Sequence, residues 1–242
     1  IGFIDDYLKI KRGYSKGLIA RYKIIGQLIL GSFISFTLFF SSNNNLYSVI
    51  GGNNIKNYIS TASISLPFIA NGYLDITTIL YIILIIIIII ATSNAINLTD
   101  GLDGLATGLT AICTIVFALL AYASSRVDFS NYLNIIFIPL SGELFIFCFA
   151  LIGSCIGFLW FNANPAKIFM GDVGSLSLGA AVGTLAILLK KEILLIIVGG
   201  VFVIEALSVI IQVLYYKYSL KYKGKGKRLF KMAPIHHHFE LK

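Results

Sequence analysis

Residues 76–104 read ITTILYIILIIIIIIATSNAINLTDGLDG, a long apolar segment that ends in a cluster of polar and acidic residues. In water the isoleucine-rich run 82–90 would indicate a buried strand, but a membrane helix tolerates it because packing against lipid is undemanding. A hydrocarbon layer about 30 Å thick is crossed by about 20 helical residues. The stretch therefore predicts a membrane helix with a polar loop at its end.

Apolar segments separated by short polar clusters recur along the whole chain. Of its 242 residues, 57% are hydrophobic and 12% are charged, and the mean hydropathy is +0.88, values that exclude an ordinary soluble domain. Segments long enough to cross a bilayer lie at residues 23–41, 76–94, 105–124, 142–161, 175–190 and 194–217. The sequence therefore predicts an all-α, polytopic membrane helix bundle, with residues 1–242 forming a single transmembrane domain.

Basic residues are distributed unevenly between the two sets of connecting segments. Fifteen of the 19 Lys and Arg residues belong to the segments 1–23, 162–174 and 217–242, and the other four are Lys56, Arg126, Lys190 and Lys191. Cytoplasmic segments carry such an excess, so the polar loops of the first set are predicted to be cytoplasmic. The connection 42–75, rich in Asn, Ser and Gly, is then an extracytoplasmic loop with room for a short hairpin.

The same excess of basic residues accounts for the net charge of +8. A basic rim at the membrane surface attracts anionic lipid headgroups and phosphorylated substrates. We therefore predict membrane lipids and phosphorylated small molecules as partners, and no nucleic acid.

An acidic pair lies near the beginning of the sequence. Asp5 and Asp6, followed by Lys9, place two carboxylates and one ammonium within about one helical turn. This arrangement suits the binding of a divalent cation or the movement of a proton on a phosphate. The alternative is a solvated, charged helix end without chemical function.

Two further acidic motifs border the apolar segments. Asn97, Asp100 and Asp103 are spaced by three, which predicts neighbouring side chains on one helical surface. The alternative is that Asp100 or Asp103 caps the next helix. Asp172 lies between two glycines, whose amides can approach an anion, and its carboxylate can hold Mg²⁺ against diphosphate oxygens. The alternative is a structural turn, with Ser175 available as the helix cap.

Three consecutive histidines, His236, His237 and His238, follow the last apolar segment. Neighbouring side chains diverge on a helix and alternate on a strand, so the three do not readily bind one metal together. One or two of them can donate hydrogen bonds to phosphate. The alternative is the remnant of an affinity tag, which the small number of histidines and the flanking Pro234 and Phe239 disfavour.

One ionisable residue, Glu205, lies inside the last apolar segment. Charged groups in membrane helices are costly, so such a residue is a functional candidate by default. The alternative is a structural hydrogen bond to Ser208 or Gln212.

Together these motifs resemble a known enzyme family. The strings GFIDDYLK (2–9), NAINLTDGLDGLA (94–106), GFLWFNANPAKIFMGDVGSLSLGA (157–180) and APIHHHFE (233–240) have the order and spacing seen in bacterial phospho-N-acetylmuramoyl-pentapeptide transferases. That family is part of the polyprenyl-phosphate N-acetylhexosamine-1-phosphate transferase superfamily, and the resemblance extends over essentially the whole chain. Its members typically have about ten membrane helices. The resemblance therefore implies a fragment of a glycosyl-1-phosphate transferase domain, without roughly the first three helices and the last one.

The resemblance implies a reaction and its partners. Phospho-MurNAc-pentapeptide would pass from UDP-MurNAc-pentapeptide to undecaprenyl phosphate, giving lipid I and UMP for peptidoglycan biosynthesis. The site would face the cytoplasm at the bacterial inner membrane, with Mg²⁺ as cofactor. Because the reacting phosphates are all negative, catalysis should depend on positioning and charge neutralisation. Direct attack and an aspartyl-phosphate intermediate both stay open, as does the formation of a homodimer.

The resemblance also implies roles for individual residues. Asp172 is similar to the family's Mg²⁺ ligand and, with Asp5, Asp6 and His237, to its catalytic positions. Substrate-binding positions are matched by Lys9, Lys23, Asn97, Asp100, Gly101, Leu102, Asp103, Asn162, Phe169, His236 and His238. Within that set, 101–103 and Phe169 match the nucleoside site, where the ring of Phe169 is expected to stack on uracil.

Two other functions are compared with this one. A related polyprenyl-phosphate N-acetylhexosamine-1-phosphate transferase shares the acidic motifs but usually has a different segment in place of the three histidines. An ion-coupled transporter would place its charges near the bilayer midplane, whereas the acidic motifs here, except Glu205, are predicted in loops on one side. The histidine segment and the one-sided charges therefore favour the pentapeptide transferase.

Overall fold

The computed structural model describes residues 1–12, 17–40, 46–50, 55–69 and 72–242. Within these ranges the helices are α1 (Gly2–Arg12), α2 (Ala20–Phe40), α3 (Thr78–Thr99), α4 (Leu105–Ser124), α5 (Val127–Tyr132), α6 (Ser141–Asn162), α7 (Gly171–Leu188), α8 (Glu192–Val198), α9 (Gly200–Lys223) and α10 (Ile235–Glu240). The strands are β1 (Leu46–Ile50), β2 (Ile55–Ile59), β3 (Ser63–Ser65) and β4 (Tyr73–Asp75). The prediction of an all-α bundle is confirmed, with small sheets added at one end.

Six helices of the described residues are long and apolar enough to cross a membrane, namely α2, α3, α4, α6, α7 and α9. They follow the order of the six predicted spans, and the protein is a multi-pass membrane protein. The predicted sixth span, 194–217, is wrong as one continuous helix. Gly199 divides it into α8 and α9, because two consecutive glycines have a low helix propensity.

Helix α3 packs between α2 and α7. Its buried residues Tyr81, Ile85 and Ile89 recur every four positions, so the isoleucine-rich run turns one face to the protein core as a helix would. The side-chain amide of Asn94 donates to Oε1 of Gln27 at 2.9 Å, which gives the polar atoms of two membrane helices a partner. The contact pairs the end of α3 with the beginning of α2, so the two helices are antiparallel.

Helices α4 and α6 form a second antiparallel pair. The hydroxyl of Thr107 donates to Oδ1 of Asn162 at 3.0 Å at one end, and the hydroxyl of Ser141 donates to the carbonyl oxygen of Ala121 at 3.0 Å at the other. This alternation brings the beginnings of α2, α4 and α7 together with the ends of α3, α6 and α9. We call this side of the bundle the polar end.

The opposite end carries the hairpins. Strand β1 pairs antiparallel with β2, with Leu46 opposite Ile59, and β3 pairs with β4, with Ser63 opposite Asp75. The hairpin expected in the connection 42–75 is thus confirmed. Lys16, counted among the cytoplasmic basic residues, and Asn54, in the outer connection, lie outside the described residues.

A buried polar network joins the hairpins to the helices. The ammonium of Lys190 donates to the hydroxyl of Tyr81 at 2.6 Å and to the carbonyl oxygen of Thr61, and the Tyr81 hydroxyl donates to Glu192. The hydroxyl of Ser65 donates to the carbonyl oxygen of Lys190. Lys190, Tyr81 and Glu192 are all buried. Because buried charges need partners, this network fixes the arrangement of α3, α8 and β3.

Candidate active site

Helix α1 presents its acidic pair to the interior of the polar end. The side chain of Asp5 is fully buried, and its Oδ2 lies 2.5 Å from the Lys9 ammonium. The same ammonium lies 3.0 Å from Oδ1 of Asp6. The prediction that one helical turn holds all three groups is confirmed. The alternative of a solvated helix end is wrong for Asp5, because α1 packs against α7.

Asp172 joins this cluster from the first turn of α7. It forms an ion pair with Lys23 at the beginning of α2, and Lys23 also lies 3.1 Å from Oδ1 of Asp5. Asp172 lies in the helix itself, not in the turn that was the alternative. Ser175 is not the cap either, since its hydroxyl lies 2.8 Å from Oδ1 of Asn97 and from the carbonyl oxygen of Gly171.

Asp6, a residue of α1, caps the N-terminal turn of α7 with its side chain. Its Oδ2 accepts a hydrogen bond of 2.9 Å from the backbone amide of Val173, one of the free amides of the first helical turn. Gly171 makes this approach possible, because it has a φ of 65° and an added Cβ would lie 2.9 Å from the same oxygen. Gly171 thus admits an anion, and in this structure the anion is the carboxylate of Asp6.

The lysines control the charge of the cluster. Burial acts to raise the pKa of Asp5, but its interactions with Lys9, the Leu18 amide and Lys23 outweigh this effect and keep that pKa below its usual value. Burial acts to lower the pKa of Lys9, and its bonds to Asp5 and Asp6 raise it overall. Asp5 is therefore a carboxylate and Lys9 an ammonium at neutral pH.

The three carboxylates suit a divalent ion. Asp5, Asp6 and Asp172 each offer an oxygen within 4.8 Å of the others. Mg²⁺ takes oxygen ligands at about 2.0–2.1 Å, so two ligands of one ion lie no more than ~4.2 Å apart. A side-chain movement of less than about 1 Å would therefore let the three carboxylates share one ion. Lys9 and Lys23 pair with the same carboxylates in this structure, and the three carboxylates fit the ion in their oxygen chemistry.

A cleft of about 390 Å³ opens beside these carboxylates. It is lined by Asn97, Asp100, Gly101, Leu102, Asp103, Asn162, Phe169, Met170, Gly171 and Asp172. The structure thus brings together the residues predicted for the nucleoside site and the metal ligand. Burial, with the nearby charges of Asp172 and Asp6, raises the pKa of Asp100 to about 6, so a positive group in the cleft would interact favourably with it.

The motif with a spacing of three is arranged differently from the prediction. Helix α3 ends at Thr99, so Asn97 is helical, Asp100 is the C-cap and Asp103 lies beyond the helix. The three side chains therefore do not share one helical surface. The alternative that Asp100 or Asp103 caps α4 is also wrong, because the N-cap of α4 is Gly104, which has no side chain to accept a hydrogen bond. Oδ2 of Asp103 instead accepts from the amide of Ala166 at 3.0 Å.

Asn162 has a structural role at the wall of the cleft. Its Oδ1 accepts from the amide of Gly104 at 3.1 Å and from the Thr107 hydroxyl at 3.0 Å, and its amide donates to the carbonyl oxygen of Ile168 at 2.9 Å. The side chain is almost fully buried. It therefore holds the loop after α6 against α4. Phe169, at the end of that loop, leaves 75% of its surface exposed at the cleft.

The histidine segment packs against Gly101, a residue of the cleft lining. An added Cβ at Gly101 would lie 2.4 Å from Nε2 of His236 and 3.1 Å from Nε2 of His237, so both rings lie against this glycine. Nδ1 of His237 lies 2.9 Å from Oε2 of Glu240. His238 turns away, because its Nδ1 accepts from the amide of Lys231. The structure thus brings two of the three predicted histidines against Gly101, one of the residues that line the cleft.

Sequence comparison assigns the chain to a family. Residues 1–190 match the family described as glycosyl transferase family 4, a range that includes the three carboxylates, both lysines and the whole lining of the cleft. The chain belongs to glycosyl transferase family 4. Its histidine segment lies beyond the matched range.

Several curated relatives of this family 4 chain share an enzyme name. It is 50% identical over 242 residues to a phospho-N-acetylmuramoyl-pentapeptide-transferase of Thermodesulfovibrio yellowstonii, covering 100% of this chain and 62% of the relative. Proteins of that name from Amoebophilus asiaticus and Chloroherpeton thalassium are 47% and 48% identical, covering 99% and 100% of this chain and 65% and 62% of the relatives. The chain thus spans less than two thirds of the length of these relatives.

The contacts of two polar residues of α9 were not predicted from the sequence. The side-chain oxygen of Gln212 accepts from the amides of Leu229 and Phe230 at 3.0 Å, which docks the loop before the histidines onto α9. The carboxylate of Glu205 lies against His236 instead of Ser208 or Gln212. Both residues could be recognised in the sequence as polar residues within an apolar helix. That pattern predicts a hydrogen bond but does not predict the partner.

Proposed function

We propose that this chain contains the catalytic site of a phospho-N-acetylmuramoyl-pentapeptide transferase. The enzyme would transfer phospho-MurNAc-pentapeptide from its UDP carrier to undecaprenyl phosphate, with lipid I and UMP as products. The observation that carries the proposal is the convergence of three carboxylates and two lysines beside the cleft. The names of the relatives support this choice of donor and acceptor.

The proposed reaction exchanges one P–O bond for another. An oxygen of the acceptor phosphate attacks the phosphorus bonded to the sugar, and the bond from that phosphorus to UMP breaks, so the electron pair leaves with UMP. A phosphate monoester is largely ionised at pH 7, since its second pKa is about 6, so the attack needs no strong base. It needs positive charge and correct placement instead.

The polar end supplies that charge. Lys9 and Lys23 bring two ammonium groups to the carboxylates at the edge of the cleft. Asp172, together with Asp5 and Asp6, would hold Mg²⁺, which supplies charge neutralisation on the diphosphate. Asp6 also fixes the beginning of α7, so the position of Asp172 depends on it.

The donor nucleotide fits the cleft. The cleft has a volume of about 390 Å³ and is lined by amide, carboxylate and backbone groups, which suit the polar edge of a uracil ring and the ribose. The exposed ring of Phe169 offers a face for stacking. His236 and His237 lie at Gly101, where they would face the phosphates or the sugar.

The acceptor chain fits a second, apolar groove. This groove has a volume of about 590 Å³ and lies between α3, α8 and α9. It extends from Asn94 and Leu98 near the polar end to Ile64 at the opposite end, and its surface is almost wholly apolar. A polyprenyl chain lying in it would bring its phosphate toward the polar end of the bundle.

The polar end would face the cytoplasm. UDP-linked donors are cytoplasmic, and the excess of basic residues at this end supports that orientation.

The proposed function is tested with the full-length protein in detergent. UDP-MurNAc-pentapeptide, undecaprenyl phosphate and Mg²⁺ are supplied, and the release of UMP and the formation of the lipid product are measured. UDP-N-acetylglucosamine is the matched control donor. Release of UMP from the pentapeptide donor alone is expected. Preference for the control donor would support the related N-acetylhexosamine enzyme, and no release from either donor would contradict both.

Phe169→Ala is expected to weaken donor binding more than turnover. Loss of one stacking contact costs about 1 to 3 kcal/mol, which corresponds to a rise in the KM for the donor of about 5- to 150-fold. The kcat should change little, because stacking contributes equally in the ground and transition states. Steady-state kinetics with Phe149→Ala, an exposed aromatic outside the cleft lining, is the control. An unchanged KM would make Phe169 a packing residue.

Cysteine labelling in intact cells tests the orientation. Cys113, Cys148 and Cys155 are buried and free, so they are first replaced by Ala. Cysteines are then placed at Lys225 near the polar end and at Asp128 at the opposite end, both exposed. A membrane-impermeant thiol reagent should label position 128 and leave position 225 unlabelled until the cells are opened. Labelling of 225 in intact cells would reverse the orientation.

A further inference from the structure

Glu205 is a carboxylate inside a membrane helix, with its side chain almost fully buried. Its Oε2 lies 3.0 Å from Nδ1 of His236 and 3.4 Å from the backbone amide of the same residue. The neighbouring hydroxyl of Ser208 donates to the backbone carbonyl of Glu205 and not to its carboxylate. The polar side chain that the apolar segment carries is therefore directed at the histidine segment.

His236 is held between this carboxylate and the cleft. Its ring is 94% buried by residue surface, and neither ring nitrogen makes a hydrogen bond of good geometry to the described residues, although Nδ1 lies within ion-pair distance of Glu205. Nε2 faces Gly101, which lines the cleft. An unpartnered buried nitrogen costs free energy unless a ligand or water satisfies it. One side of the ring therefore lies against a carboxylate of the protein, and the other is directed toward the place where the donor would bind.

A carboxylate at one ring nitrogen determines what the other nitrogen can do. When Nδ1–H donates to the carboxylate, the ring orientation and the tautomer are fixed. Without this partner the ring can rotate and both tautomers become populated. We propose that Glu205 is a positioning residue that orients His236 so that Nε2 meets the UDP-linked donor. This inference rests on the proposed function of the cleft.

The ring nitrogens of His236 give a test that needs no activity. The sequence contains three histidines, so protein labelled with ¹⁵N-histidine gives three ring systems, and His236→Gln identifies the signals of His236. The wild-type protein should show a protonated Nδ1 on His236. Glu205→Ala should give a mixture of tautomers there, with the signals of His238 unchanged. An unchanged His236 signal in Glu205→Ala would overturn the inference.

Kinetics then separates positioning from simple support of the fold. Glu205→Ala is expected to lower kcat/KM for UMP release by about 10- to 100-fold, the range typical of carboxylates that orient a ligating histidine. Glu205→Gln keeps an oxygen that accepts from Nδ1–H and should recover most of that loss. In the His236→Gln background, Glu205→Ala should lower kcat/KM by less than about a further twofold. The two changes are then non-additive, as expected for residues that act through one another.

The control variant is Ser208→Ala, one turn along the same helix, which removes a buried hydroxyl without touching His236. Size-exclusion chromatography and thermal unfolding check that each variant folds. Full additivity of Glu205→Ala and His236→Gln, or no recovery by Glu205→Gln, would make Glu205 a structural residue only. If the wild type releases no UMP, the proposed function fails, while the ring signals still decide whether Glu205 orients His236.

Discussion

Asp172→Asn is expected to abolish most of the Mg²⁺-dependent release of UMP. The change removes a negative charge from the cluster of carboxylates while it keeps the size of the side chain. Loss of one group that stabilises the charged transition state lowers kcat by about 100- to 1000-fold, on the order of 3 to 4 kcal/mol. The loss should persist at saturating donor and high Mg²⁺, because the ligand itself is missing.

The measurement compares kcat across a range of Mg²⁺ concentrations with that of Asp128→Asn. Asp128 is an exposed carboxylate at the opposite end of the bundle, so its variant controls for the change in net charge. Thermal unfolding should show that Asp172→Asn stays folded, since Lys23 keeps Asp5 as a partner. Turnover near the wild-type value would show that Asp172 is not an essential metal ligand.

Glu192→Ala is expected to destabilise the bundle strongly without touching the cleft. It removes the carboxylate of the buried network and leaves the charge of Lys190 with only the Tyr81 hydroxyl and a carbonyl oxygen. Breaking a buried pair by removing one partner costs about 3 to 5 kcal/mol. Thermal unfolding in detergent should show this loss, whereas Glu143→Ala, an exposed carboxylate at the same end, should change stability little.

The sign of the pH dependence follows from Lys190. Burial lowers its pKa to about 8 in the folded protein, and the charge of Glu192 partly opposes this. In Glu192→Ala the folded pKa should fall further below the unfolded value of about 10.4. The unfolded state then binds more protons, so the stability of the variant rises as pH increases through that range. This explanation would be contradicted if the stability lost in Glu192→Ala, relative to the wild type, were larger at pH 9 than at pH 6.

The sequence predicted the membrane class, the order of the six spans and the identity of the polar motifs. These are local properties, because bilayer thickness fixes the length of an apolar segment and hydropathy is read from consecutive residues. The turn that contains Asp5, Asp6 and Lys9 was also predicted, since residues three and four apart meet on any helix. The spacing of Asn97, Asp100 and Asp103 misled because the helix ends at Thr99, inside the motif.

Only the tertiary structure determined which distant groups meet. Asp6 binds the amide of Val173, 167 residues away, and Lys23 binds Asp172, 149 residues away. Glu205 could have bonded within its own helix but contacts His236, because α10 packs against α9. A residue type fixes which hydrogen bonds a side chain can make, whereas packing of helices far apart in sequence fixes the one that forms. The sequence by itself therefore determined the components of the site and the end of the bundle where they gather, and the fold determined their pairing.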